Sequence, residues 1–318
     1  MEFVVLYCNK NQYEMFEQFA FKYSPVDFSK VTILVYDDNS TSKQQNILRE
    51  LCKKYSNIKW INPQVSKNAK MPNTTCIQVC NEYLVDNNID IDWILFLEND
   101  VFPFQENFWD LLNDKIKNNS WLKEKVGSFG FSSYQYYNKG LKKEFAVPGR
   151  GNLINNILNP PYSGWYKNLP LKYYNNEYFI VEVPNWQSIC INRDLFKKCI
   201  KIDERYDNRL LNHDDMAHQF MIYGFYNICF PQLAVCHDGD NKLKENINII
   251  NDKSYSRSNK CHKIFQERWG WQWGKRNLNL RNQFQYILDN SNFYTNTIQE
   301  KLFYLDINKG PKIIEDFE

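Results

Sequence analysis

Short, wholly apolar runs alternate with segments of helical periodicity through the first third of the chain. Phe3 to Cys8 is apolar without alternation, the pattern of a strand buried on both faces. Asn11 to Tyr23 then carries Tyr13, Phe16, Phe19 and Ala20 at helical spacing. Val31 to Tyr36 is a second strand. It ends in Asp37-Asp38-Asn39-Ser40, where polar capping residues open a helix containing Ile47, Leu48 and Leu51. Asn57 to Ile61 is a short third strand. Pro72-Asn73-Thr74 opens the next helix, which runs through Ile77, Val79, Cys80, Tyr83 and Leu84. Trp93 to Leu97 is a further strand and leads straight into Glu98-Asn99-Asp100. This alternation predicts an α/β fold with a mostly parallel, doubly wound sheet and helices on both faces.

The pattern changes after Asp100. A helix is expected from Phe104 to Ile116 and a strand from Val126 to Phe131. Tyr134 to Tyr178 reads as loop, with Pro148-Gly149-Arg150-Gly151, Asn159-Pro160-Pro161 and Ser163-Gly164-Trp165. So long an irregular insertion is usually a lid or binding loop, with a disordered linker as the alternative. Strands resume at Tyr178–Val183 and Asn185–Ile191, followed by a helix from Arg193 to Cys199. Asn212-His213-Asp214-Asp215 opens another helix, with Met216, Phe220 and Tyr223 as its apolar stripe, closing at Gly224. Tyr226–Phe230 and Ala234–Cys236 are short strands before His237. The last part is polar, then helical around Cys261 to Trp273 and again from Leu280 to Leu288.

Composition narrows the classes. A chain of 318 residues buries a large core in one or two domains. Its net charge of +2 exerts no global pull toward nucleic acid or membrane surface. The nine cysteines include no C-x-x-C pair, and Cys190, Cys229 and Cys236 lie in apolar runs, so reduced, buried thiols are expected. No apolar stretch reaches the roughly 20 residues that span a bilayer. The first strand is too short for a signal-peptide core, so a soluble cytoplasmic protein is expected.

Glu98 and Asp100 stand two residues apart at the end of a buried strand and can point the same way. Ligands of open α/β sheets bind beyond the carboxyl ends of the strands. Paired carboxylates there suit a hard divalent cation that bridges to phosphates. The plainer reading is an acidic turn.

Four stretches in this order resemble the inverting GT-A glycosyltransferases of the family 2 type, over roughly residues 3 to 237. The Asp37-Asp38-Asn39-Ser40 turn is similar to the family's nucleoside-binding turn, and Asn73 to part of its Arg-Asn segment, where Pro72 replaces the Arg. Glu98-Asn99-Asp100 matches the family's D-x-D motif. The resemblance implies a donor site of Tyr7, Asn9, Asp37, Asp38, Asn73, Glu98 and Asn99, with Mn²⁺ or Mg²⁺ on Asp100 and His237. Asn185 to Phe196 looks like the strand and helix flanking the family's acceptor site, which implicates Trp186 and Gln187. Trp186 is equally readable as a core residue. His213-Asp214-Asp215 through Gly224 resembles the segment that carries the catalytic base. Asp214 is favoured, with Asp215 close behind and His213 open. A carboxylate there faces the positive end of a helix and stays ionised, or else merely caps it.

The resemblance implies a GT-A catalytic domain over residues 1–240, its nucleotide-sugar half about 1–100 and its acceptor half about 101–240, with a partly helical extension over 241–318. The expected partners are a nucleotide-sugar donor and a glycan acceptor, with no nucleic acid and oligomeric state open. A non-catalytic nucleotide- or glycan-binding protein that retains the fold is the second reading. A sugar-1-phosphate nucleotidyltransferase is disfavoured because Phe3 to Gln12 lacks glycine, and a P-loop enzyme because G-x-x-x-x-G-K-[ST] is absent. Trp269-Gly270-Trp271-Gln272-Trp273-Gly274 can stack on sugar faces or pin the C-terminal segment to the core.

Overall fold

The structure, a computed structural model, describes residues 1–63, 73–150, 178–237 and 259–269, apart from 19, 22–23, 104, 138–139, 147–148, 182, 185–186, 204, 207–210 and 224. Chain order runs β1 (Phe3–Asn9), α1 (Tyr13–Gln18), β2 (Ile33–Asp37), α2 (Ser42–Lys54), β3 (Ile58–Trp60), α3 (Asn73–Asp86) and β4 (Trp93–Leu97). Then come β5 (Val101–Pro103), α4 (Phe108–Asn118), α5 (Trp121–Lys125), β6 (Val126–Tyr137), β7 (Gly140–Ala146) and β8 (Gly149–Arg150). After the next described residues come β9 (Phe179–Val181), β10 (Val183–Pro184), β11 (Ser188–Asn192), α6 (Arg193–Cys199), α7 (Asn212–Ile222), β12 (Tyr226–His237) and α8 (Asn259–Trp269).

The main sheet has the order β3-β2-β1-β4-β11-β6-β12-β5. It is parallel from β3 to β4, as the β/α alternation requires. Beyond β4 it is mixed: β11 is antiparallel to both β4 and β6, whereas β12 runs parallel to β6. β1 shows why the apolar runs lack alternation. Phe3, Val5 and Tyr7 enter a cluster beneath α1, α2 and α4, while Val4, Leu6 and Cys8 enter the opposite cluster beneath α3, α6 and α7. Both faces are covered, so every strand position is apolar.

Two expectations change. The segment from Tyr134 begins not as loop but as a hairpin, because β6 continues to Tyr137 and pairs antiparallel with β7. Gly140 opens that return strand, and the tyrosine-rich end of β6, Tyr134 to Tyr137, has the aromatic content of a strand. The two short strands after α7 are one strand, β12. Phe230 pairs with Phe131 and Ala234 with Ser132, so residues 231–233 form a bulge. Pro231 falls in the bulge, where its missing N–H does no harm to the ladder.

α7 lies directly on β6. Gly127 has no side chain, and a Cβ there would run into the Phe220 ring. Asn227 reinforces the contact by accepting from Ser128 Oγ at 2.6 Å and donating to the Ala217 carbonyl at 2.9 Å. Gly127→Ala is expected to lower stability by about 1–3 kcal/mol, the usual cost of overpacking, read from the urea midpoint.

Candidate functional site at the carboxyl edge of the sheet

The order β3-β2-β1-β4 places a topological switch between β1 and β4, because the chain leaves β1 on one side and returns on the other. In open α/β sheets the crevice at such a point binds ligands. Asn9 pairs with Asp37 and Tyr7 with Leu97 in the parallel register. The ends of β1, β2 and β4 are therefore level, which brings Asn9, Asp37, Asp38 and Glu98-Asn99-Asp100 to one edge.

Asp37 is fully buried, and its carboxylate is saturated by internal donors. The Tyr13 hydroxyl donates to Oδ1 at 2.6 Å, and the Ser40 N–H and Gln45 amide donate to Oδ2 at 3.2 and 2.8 Å. Asn62 pairs with the Asp37 backbone, accepting from its N–H at 2.8 Å and donating to its carbonyl at 2.9 Å. Burial and the adjacent carboxylate raise the Tyr13 pKa, which keeps its phenol protonated and donating. Asp37 builds the turn, and Asp38 follows it with an N–H that donates to the Asn9 carbonyl at 2.8 Å.

The β1–α1 loop is fastened to this turn. Asn11 N–H donates to Ser40 Oγ at 2.8 Å, Thr41 N–H to Asn11 Oδ1 at 2.7 Å, and Tyr13 N–H to Gln44 Oε1 at 3.0 Å. Asn11 and Asn39 both adopt positive φ, 57° and 55°, a conformation that asparagine tolerates better than most residues. Asn99 Nδ2 donates to Gln12 Oε1, and Asn9 Nδ2 to the Gln12 carbonyl, so Gln12 joins the ends of β1 and β4. Asn9 Oδ1 is buried and has no hydrogen-bond partner among the described residues.

Tyr7, expected at the donor, is a core residue. It is fully buried with its ring against Phe16 at 4.7 Å, because the strand alternation turns it beneath α1. Asn73 begins α3 at this edge, but its side chain lies outside the described residues, as do Trp186 and the segment from Gly270 to Gly274. Gln187 is buried, and its carbonyl accepts the Glu98 N–H at 3.0 Å, joining β4 to the entry of β11.

Glu98, Asn99 and Asp100 are half-buried in the turn between β4 and β5. In the β5–β12 ladder, Val101 pairs with His237. The backbone of His237 therefore stands beside that of Val101, the residue after Asp100. The His237 side chain lies outside the described residues. Among the described residues no three His, Cys, Asp or Glu side chains form a metal cluster. A carboxylate in the β4–β5 turn and a histidine position at the end of β12 nonetheless fit Mn²⁺ or Mg²⁺, with phosphate oxygens and water as further ligands.

α7 brings the base candidates to the same edge. His213 is buried, with its ring 5.6 Å from that of Phe96 near the end of β4. Asp215 Oδ2 accepts from Arg268 Nη1 and from Gln219 Nε2, each at 2.8 Å. Arg268, on α8 and 2% exposed, also lies 3.4 Å from Asp203. Asp215 thereby helps to hold α8 on α7. Leu211, just before α7, has φ of 66°, a strained conformation for a bulky residue of the kind that gathers at functional sites. Arg268 was not singled out in the sequence, where it reads as the basic end of an amphipathic helix.

Arg268→Leu leaves the buried Asp215 carboxylate without its cation, while Asp203 keeps Arg205, and is expected to cost about 3–5 kcal/mol, measured by chemical denaturation. Arg268→Leu combined with Asp215→Asn is expected to cost less than the sum of the single changes. Burial opposes the Asp203 charge, but hydrogen bonds from Arg205 and the charge of Arg268 outweigh it and lower the pKa. Its folded pKa is thus below the unfolded value of about 3.9. The Asp203 contribution is full above that value and is lost as pH falls through the lower folded pKa. Asp203→Asn is therefore expected to flatten the acid limb of a stability–pH curve below about pH 4.

No family model and no curated protein matches the sequence. Solved structures do match. GalNAc-T7 with UDP, GalNAc and Mn²⁺ aligns with a TM-score of 0.53 at 13% identity, over 75% of this chain and 44% of that one. S. aureus TarS 1–349 with UDP-GlcNAc gives 0.47 at 13%, over 75% and 58%. The mannosyltransferase PcManGT from Pyrobaculum calidifontis with GDP-Man and Mn²⁺ gives 0.45 at 9%, over 74% and 56%. The chain thus spans less than two thirds of each of these proteins. The fold is that of the GT-A glycosyltransferases: a curled α/β sheet flanked by helices.

Proposed function

We propose that this chain is a metal-dependent glycosyltransferase that moves a sugar from a nucleotide-sugar donor to a hydroxyl of a glycan acceptor, with inversion. The observation that carries this reading is the convergence of Asn9, Asp38 and Glu98-Asn99-Asp100 at the β1/β4 switch point, with the His237 position beside Val101 and the Asp214 turn beside β4. The likeness of fold to GalNAc-T7, solved with UDP, GalNAc and Mn²⁺, supports it.

On this reading Asp38, Asn9, Asn73, Glu98 and Asn99 hold the nucleoside and ribose. Asp37 acts one step removed, by fixing the turn through Tyr13, Ser40 and Gln45. Asp100 and His237 hold Mn²⁺ or Mg²⁺. When bound, that ion supplies Lewis acidity where negative charge develops on the departing diphosphate. Asp214 takes the proton from the acceptor hydroxyl as its oxygen attacks the anomeric carbon and the sugar–phosphate bond breaks. Its place in the first turn of α7, near the positive end of the helix, favours the carboxylate form. One displacement with the base opposite the leaving group inverts the configuration. Trp186 and Gln187 border the acceptor side.

Residues 1–240 form the catalytic domain in this proposal. Residues 241–318 are the partly helical extension, whose helix α8 packs on α7 through the buried Arg268. Among the described residues no helix is long and apolar enough to cross a membrane.

Donor hydrolysis, measured against a panel of nucleotide sugars with Mn²⁺ or Mg²⁺ and again with chelator, tests the reading. Asp100→Ala is expected to lower metal-dependent turnover by about 10²–10³-fold or more. Asp214→Asn is expected to keep donor binding, followed by calorimetry, and to lose about 10²–10⁴-fold in transfer. Full activity in both variants would sink the mechanism. Donor binding without turnover in the wild type would favour the non-catalytic reading instead.

A further inference from the structure

β1 and α3 meet sulfur to sulfur beneath the carboxyl edge of the sheet. Strand alternation turns Val4, Leu6 and Cys8 toward the face that α3 covers. The buried stripe of α3 carries Cys76, Ile77, Cys80 and Leu84 at helical spacing. Cys8 stands one residue from the end of β1 and Cys76 lies in the first turn of α3, so the two arrive at one level. Their Sγ atoms are 2.8 Å apart, with the Cys76 thiol donating to Cys8. Both residues are buried, 1% and 0% exposed. All nine cysteines are thiols in this structure.

The separation discriminates between the uses of such a pair. Carbon atoms, which are smaller than sulfur, pack at about 3.5–4.0 Å, so sulfurs that merely pack stand further apart than these. One zinc ion shared by both sulfurs would hold them roughly 3.8 Å apart, from zinc–sulfur bonds of ~2.3 Å at a tetrahedral angle. Among the described residues no three His, Cys, Asp or Glu side chains form a metal cluster. A disulfide needs about 2.05 Å, so the sulfurs have only about 0.8 Å to close. β1 is held by its ladder to β2, where Cys8 pairs with Tyr36. The movement therefore falls to the first turn of α3, whose N–H groups have no acceptors within the helix.

We propose that Cys8 and Cys76 are a redox pair that closes reversibly to a disulfide and fastens the start of α3 to the end of β1. The oxidant is a peroxide. One thiol attacks a peroxide oxygen, the O–O bond breaks, and a sulfenic acid and one water form. The other thiol attacks the sulfenic sulfur, the S–S bond forms, and the sulfenic oxygen leaves with two protons as a second water. The pair loses two electrons, which the peroxide takes. A dithiol reverses the step by thiol–disulfide exchange and becomes a disulfide itself. Both sulfurs are buried, so the oxidant enters when the first turn of α3 opens, and helix ends open at lower cost than the core. The bond closes a loop over a sequence separation of 68 residues, which stabilises the fold by restricting the unfolded chain. Asn9 follows Cys8 and Asn73 precedes Cys76 by three residues, so the link ties together two segments of the carboxyl edge.

The test uses the full chain and needs neither donor nor turnover. The protein is treated with hydrogen peroxide, its remaining thiols are blocked in acid denaturant, and it is digested without reductant for mass spectrometry. A peptide linking Cys8 to Cys76 is expected, lighter by two hydrogens than its two parts, and dithiothreitol is expected to remove it. The oxidised form is expected to melt about 5–10 °C higher, reversed by dithiothreitol. Hydrogen exchange at the amides of residues 74–80 is expected to slow severalfold. Cys76→Ala is expected to fold but to lose both the link and the redox dependence of melting. No linked peptide, linkage of either residue to another cysteine, sulfinic acid without a link, or a lower melting temperature on oxidation would each overturn the proposal. The outcome is independent of the transferase reading, because no readout involves sugar transfer.

Discussion

The Asp37 carboxylate is buried, and the carboxyl edge of the sheet is arranged around keeping it hydrogen-bonded. A charge in that position is costly unless donors surround it. Tyr13 supplies one from α1, Ser40 one from the backbone, and Gln45 one from α2. To satisfy it, two loops and the first turns of two helices must sit at fixed distances from the end of β2. Asn11 and Asn39, with their positive φ, let the chain bend tightly enough to do so. The same fastening sets Gln12 between Asn9 and Asn99, and so fixes the spacing of β1 and β4 across the crevice. The residues proposed to touch the nucleotide therefore stand on a frame whose own carboxylate is occupied.

A second buried charge organises the other side. Arg268 bridges Asp215 and Asp203, and Gln219 links Asp215 to the segment after α6. An isolated buried guanidinium would be strongly unfavourable, so the seat of α8 on α7 depends on these carboxylates, above all Asp215 at 2.8 Å. The pairing divides two adjacent aspartates that chemistry alone treats alike. Asp215 becomes part of the scaffold. The close approach of Phe220 to Gly127 and the Ser128–Asn227–Ala217 chain carry that arrangement into the sheet.

The sequence made the elements of the first half legible because both faces of the sheet are covered there. Runs such as Phe3–Cys8 and Trp93–Leu97 admit only one reading when helical stretches separate them. Legibility fell where the chain left that rhythm. The β6–β7 hairpin was hidden because its tyrosines and lysines resemble a polar loop, and β12 read as two strands because Pro231 interrupts it. The acidic motifs were visible as chemistry, but their division of labour was not. Asp37 and Asp38 are neighbours of one type with different surroundings, and so are Asp214 and Asp215.

The sequence by itself determined the α/β alternation and the acidic strand end at Glu98-Asn99-Asp100, because these depend on periodicity and on near neighbours. Tertiary structure alone decided which carboxylates are bound internally, that Tyr7 faces the core, and that Arg268 reaches α7 from α8. Each of these rests on contacts between residues distant in the chain, where one hydrogen bond gained or one cation removed changes what a buried polar group can do.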